Sequence, residues 1–175
     1  PALARCDRKA IKRLRDFAKK ISVVESPKAK IAALATLARR GTKADRSRLL
    51  NLARKATPRV QLLAAEAYSE LPSARLEHLR TALASLPKNR ADIPPRVAGI
   101  KARLGDAKAV ETLLSSWASK DLQAKMWSAL ELGRSKQLGR LDETEQKAIR
   151  EALTRGLQHA NPEVSLAAAV ALLAF

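Results

Sequence analysis

The chain has 175 residues, with 34 Lys and Arg against 17 Asp and Glu, for a formal net charge of +17. That length is enough for a domain with a real core, and a hydrophobic content of 46% excludes a disordered chain despite the charge. A single cysteine, Cys6, excludes an internal disulfide and a cysteine-based metal site, and no stretch reaches the roughly 18 consecutive apolar residues of a membrane span. A cytoplasmic protein is expected.

The apolar content is mostly Ala and Leu, with aromatics at only 3%. These residues, with Lys, Arg, Glu and Gln, lose little side-chain entropy in a helix, so the inventory predicts an all-α chain. The charge is uneven. Residues 1–60 hold 18 Lys/Arg against 4 Asp/Glu, and the remaining residues are close to balanced.

In chain order, the first helix is predicted near 7–21, in "DRKAIKRLRDFAKKI". "SPKAKIAALATLARRG" (26–41) predicts the second, with Ser26 as N-cap, Pro27 at N1 and Gly41 at the C-terminal turn. A third follows near 45–55. "TPRVQLLAAEAYSELP" (57–72) repeats the punctuation with Thr57 and Pro58. Further helices are expected near 73–86, in "PPRVAGIKARLGD" (94–106), near 106–118, in "KDLQAKMWSALELG" (120–133) and near 142–157. Asp142 with Glu145 predicts a capping box for the last of these. "NPEVSLAAAVALLAF" (161–175) closes the chain with Asn161 as cap.

This layout is five helix pairs. The second helices start near 27, 58, 95, 121 and 162, an average spacing of about 34 residues, which is the signature of stacked helical hairpins. "TPRVQLLAAEAYSEL" and "NPEVSLAAAVALLA" resemble the second helix of HEAT repeats, and "ARLGDAKAVETLL" (102–114) resembles the turn into the next repeat. The resemblance implies one domain over 1–175: a right-handed, superhelical α-α solenoid of about five antiparallel pairs. Where many HEAT repeats carry Arg shortly after the Pro, this chain has Lys30, Gln61 and Ser165. The apolar end "VSLAAAVALLAF" has no polar cap, so it is expected to continue into further repeats or to dock on a partner.

On a helical wheel with Arg8 at zero, Ala10, Ile11, Leu14, Phe17, Ala18 and Ile21 fall in an arc from about 180° to 300°, opposite an almost wholly cationic face. Burial accounts for the apolar arc and leaves the charge unexplained. A plain solvated cap is one reading, but like charges at i,i+4 repel, and a face selected for solubility mixes signs. The candidate partner- or phosphate-binding residues are Arg8, Lys9, Lys12, Arg13, Arg15, Lys19, Lys20, Lys28, Lys30, Arg39, Arg40 and Arg59. The excess also runs through Lys43, Arg46, Arg48, Arg54 and Lys55.

Such a field attracts polyanions. The first expectation is a non-catalytic scaffold that binds an acidic protein surface, with duplex nucleic-acid backbone as the alternative. Phe17 is the only aromatic among the first 60 residues, which disfavours single strands. A membrane-surface role conflicts with the use of the apolar arc in the core. Trp117, Asp121, Trp127 and Arg134 resemble the Trp/Asp/Arg site of HEAT-like alkylpurine DNA glycosylases, which implies a more remote enzymatic alternative. His78 and His159 lack carboxylate or cysteine partners at metal-ligand spacing, so no metal and no cofactor is expected.

Overall fold

In the computed structural model, backbone is described for residues 2–23, 25–40, 43–137 and 141–175, and side chains for these except 2–8, 107, 136 and 137. The described residues form ten α-helices: α1 (Ala2–Lys20), α2 (Pro27–Arg40), α3 (Lys43–Lys55), α4 (Pro58–Ser69), α5 (Leu76–Ala84), α6 (Ile93–Arg103), α7 (Ala107–Ala118), α8 (Leu122–Gln137), α9 (Glu143–Gly156) and α10 (Pro162–Leu172).

Local chemistry sets most of these limits. Pro27, Pro58 and Pro162 each open a helix, where the missing N–H costs nothing. Asn161 accepts hydrogen bonds from the backbone of Glu163 and Val164. Asp142 and Glu145 complete the expected capping box. Thr57 stands at the predicted N-cap of α4, but its side chain makes no capping bond. Gly105, at φ 89°, makes the left-handed turn between α6 and α7. The position predicted for Gly41 lies outside the described residues.

The helices fall into two compact units, Pro1–Leu86 and Pro87–Phe175. In the first, each helix packs on the next, and α2 also meets α4 as α3 meets α5. Ile31, Leu34, Leu37, Leu49, Leu62 and Leu79 are buried there. In the second, α6, α8 and α10 pack in a row, with α7 and α9 against them. Its core includes Val110, Leu113, Leu132, Ile149 and Leu153. Successive pairs stacked in this manner make an all-α, helical-repeat arrangement.

One device recurs. The fourth residue of four second helices donates to a carbonyl within one residue of the preceding helix end. The bonds are Lys30 to Ile21 at 2.8 Å, Gln61 to Arg54 at 3.1 Å, Lys125 to Trp117 at 2.8 Å and Ser165 to Leu157 at 2.8 Å. Helix ends leave carbonyls without intrahelical donors, and each of these side chains supplies one. Lys30, Gln61 and Ser165 therefore close their own hairpins.

One apolar expectation changes, at the edge of the α1 arc. Phe17 and Ala10, assigned to the buried arc of α1, are exposed, because at about 180° and 200° they sit at the edge of that arc beside Arg13 and Lys20. Leu166 and Val170 of α10 and Leu173 just after it, at i, i+4 and i+7, are exposed, while Val164, Ala167, Ala168 and Ala171 are buried.

Candidate functional site

The basic residues of the first unit include some held by a partner and some with no ion pair among the described residues. Arg15 donates to Asp45 at 2.8 Å, and Arg48 lies 3.6 Å from the same carboxylate. Asp45 is almost fully buried. Its hydrogen bond, followed by its charge, raises the pKa of Arg15 above the ordinary arginine value. Arg39 pairs with Glu70 at 2.5 Å, and Arg54 donates to the carbonyl of His78 at 2.8 and 3.1 Å. The first three helices also end on basic pairs: Lys19 and Lys20, Arg39 and Arg40, and Arg54 and Lys55. Cations there complement the negative end of the helix dipole. Part of the charge excess is thus structural.

Lys9, Lys12, Arg13, Lys19 and Lys20 are different. All five are exposed, and among the described residues they make no ion pair. They lie within an arc of about 120° on α1. Lys28 and Arg59 are exposed as well, and so is Arg40, which has a partner. The side chain of Arg8 lies outside the described residues.

Next to this face is a groove of about 380 Å³. It is lined by Arg15, Ala18 and Lys19 of α1, Lys30 and Leu34 of α2, and Arg48, Asn51 and Leu52 of α3. The spacings i, i+3, i+4 on α1 and α3, and i, i+4 on α2, bring each set to one helix face. Ala18 and Leu34 are buried, Leu52 is half-buried, and Lys19, Arg48 and Asn51 are exposed. Aliphatic carbon is therefore combined with four cations and one amide. This set suits a ligand that carries both negative charge and an apolar group. The structure brings together Arg15, Lys19 and Lys30 of the predicted set and adds Arg48 and Asn51. Arg48 was legible as part of the basic excess. Asn51 carried no charge signal, although Arg48, Asn51 and Leu52 repeat the helical spacing of Arg15, Ala18 and Lys19.

The alternative set in the second unit has separate partners. Trp117 packs on Gly156 and lies 5.6 Å below the Lys125 ammonium. Asp121 caps α8, accepting from the backbone of Ala124 at 2.9 Å. Trp127 stacks under Arg96, with 4.5 Å from the guanidinium carbon to the ring centre. Arg134 donates to buried Glu131 at 3.0 Å.

Among the described residues, no group of three or more His, Cys, Asp or Glu side chains is placed to hold a metal ion. No helix among them is long and apolar enough to cross a membrane. The chain has no significant match among protein-family models, curated proteins or solved structures.

Proposed function

We propose that the chain is a non-catalytic, HEAT-like scaffold that binds an acidic protein surface through its N-terminal unit. The observation that carries this reading is the one-sided exposure of Lys9, Lys12, Arg13, Lys19 and Lys20 on α1. Lys9 and Arg13, at i,i+4, repel each other at a cost of a few tenths of a kcal/mol, a cost that an acidic partner offsets. Long-range attraction steers the encounter, so affinity falls as salt rises. Protein is favoured over nucleic acid because aliphatic groove carbon lies beside the cations, where a phosphate backbone has no use for it.

The test is a fluorescence-anisotropy titration with labelled poly-L-glutamate and a labelled DNA duplex at low and moderate salt. Wild type is compared with a variant carrying Lys12→Glu, Arg13→Glu, Lys19→Glu and Lys20→Glu. The expected result is salt-sensitive binding of polyglutamate that the variant loses. Failure to bind, or binding indifferent to the charge reversal, overturns the reading. Clear preference for the duplex replaces the protein partner with nucleic acid.

A further inference from the structure

We infer that the groove among α1, α2 and α3 receives one apolar side chain of an acidic peptide segment, whose carboxylates stay at the rim on Lys19 and Arg48. The inference rests on the proposed acidic-protein partner and specifies how that partner is read.

Three features decide the class of ligand. First, the groove holds about 380 Å³, within the range of roughly 300–1,000 Å³ of pockets that enclose small organic groups. A duplex is too wide to enter it. Second, the wall is divided by polarity. Ala18, Leu34 and Leu52 offer aliphatic surface, and burying a ligand methyl or isobutyl group there releases water from both sides. Third, Asp45 lies beneath the cations. Its carboxylate already engages Arg15 and Arg48, so a second carboxylate at that depth meets like charge. Ligand acids are therefore held outward, and the apolar group takes the interior.

The cations are also pre-positioned. Arg15 is fixed by Asp45 and Lys30 by the Ile21 carbonyl, so little side-chain freedom remains to be lost on binding. Lys19, exposed and without an ion pair among the described residues, is the contact with most to gain.

The experiment uses two fluorescein-labelled probes: a decaglutamate, and the same peptide with its fifth and sixth residues replaced by leucine. Wild type is expected to bind the leucine-bearing peptide about tenfold more tightly. Asn51→Phe, at an exposed lining position, fills the groove and is expected to abolish that gain. Lys19→Glu weakens both peptides. Equal wild-type affinity for the two probes overturns the groove assignment and leaves the basic-surface reading standing. Absence of binding by either overturns both. A leucine gain that survives Asn51→Phe, in a variant with wild-type circular dichroism and Tm, also overturns the assignment. A photo-reactive leucine in the same peptide gives a second readout on the unmodified protein. Cross-links within 15–19, 30–34 or 48–52 support the groove, and cross-links confined elsewhere refute it.

Discussion

Arg15 of α1 and Asp45 of α3, thirty residues apart, are joined by two hydrogen bonds of 3.4 and 2.8 Å. The acid is 1% exposed, so the pair ties the first helix to the third and partly neutralises the groove. Replacing Asp45 with Asn keeps the shape and removes the charge. Tm is expected to fall by about 5 °C, measured by the helical circular dichroism signal. Affinity for polyglutamate is expected to rise about threefold, because Arg15 and Arg48 lose their internal counter-charge. A purely structural role for the pair predicts no gain in affinity.

The hairpin-closing bonds make a graded prediction. Gln61 is buried, so Gln61→Leu leaves the Arg54 carbonyl without this donor and is expected to cost about 1–3 kcal/mol. The Ser165 bond to Leu157 is exposed, and water replaces it in Ser165→Ala at a cost of about 0.5 kcal/mol or less. Chemical denaturation followed by circular dichroism measures both. Equal losses at the two positions would contradict the account.

Helix number and most limits were legible because they depend on neighbours in sequence, although α1 begins at Ala2, five residues before the expected start, and α8 runs past Gly133 to Gln137. Pro27, Pro58, Pro162, Asn161 and Asp142 act on the backbone within a turn of themselves. The groove was not legible in that way. A helical wheel ranks Arg15 with the cationic face at about 340°, and only the folded chain brings Asp45 to it. The wheel likewise gives Phe17 to the apolar face, although it stands at the edge of that face and is left half exposed. Lys30, Gln61 and Ser165 read as departures from a repeat pattern. Their shared task of closing a hairpin depends on where the preceding helix ends in space. Charge counting located the basic unit and could not separate cations held by a partner from those with no ion pair among the described residues.

Tyr68 is the only tyrosine, so its ionisation can be followed without ambiguity near 295 nm. Burial pushes its phenol pKa above the ordinary value near 10, and the charges of Arg54 and Arg46 oppose that shift. Its hydroxyl lies 2.6 Å from Nδ1 of His78. The raised folded value means that the native state keeps a proton that the unfolded chain releases first. Tyr68 therefore contributes full stability below the unfolded value near 10 and loses it as pH rises through the folded one. The expected outcome is a native titration midpoint above that of the denatured chain. A midpoint at or below the denatured value would refute it.

In the second unit, Arg103 pairs with Glu131, both almost wholly buried, and Arg134 adds a bond to the acid from the exposed side. Gly99 lies so close to Glu131 that an added Cβ would overlap its carboxylate. Arg103→Met is expected to cost about 3–5 kcal/mol, because the acid keeps its desolvation penalty and loses its main counter-charge. Arg103→Met combined with Glu131→Leu recovers most of that loss, since no buried charge remains. Gly99→Ala alone costs about 1–3 kcal/mol by driving the carboxylate from its partner. Trp117 and Trp127 both belong to this unit, so tryptophan fluorescence during denaturation reports on it directly. If the double variant is no more stable than Arg103→Met, the penalty belongs to lost packing around Arg103 and not to the stranded acid.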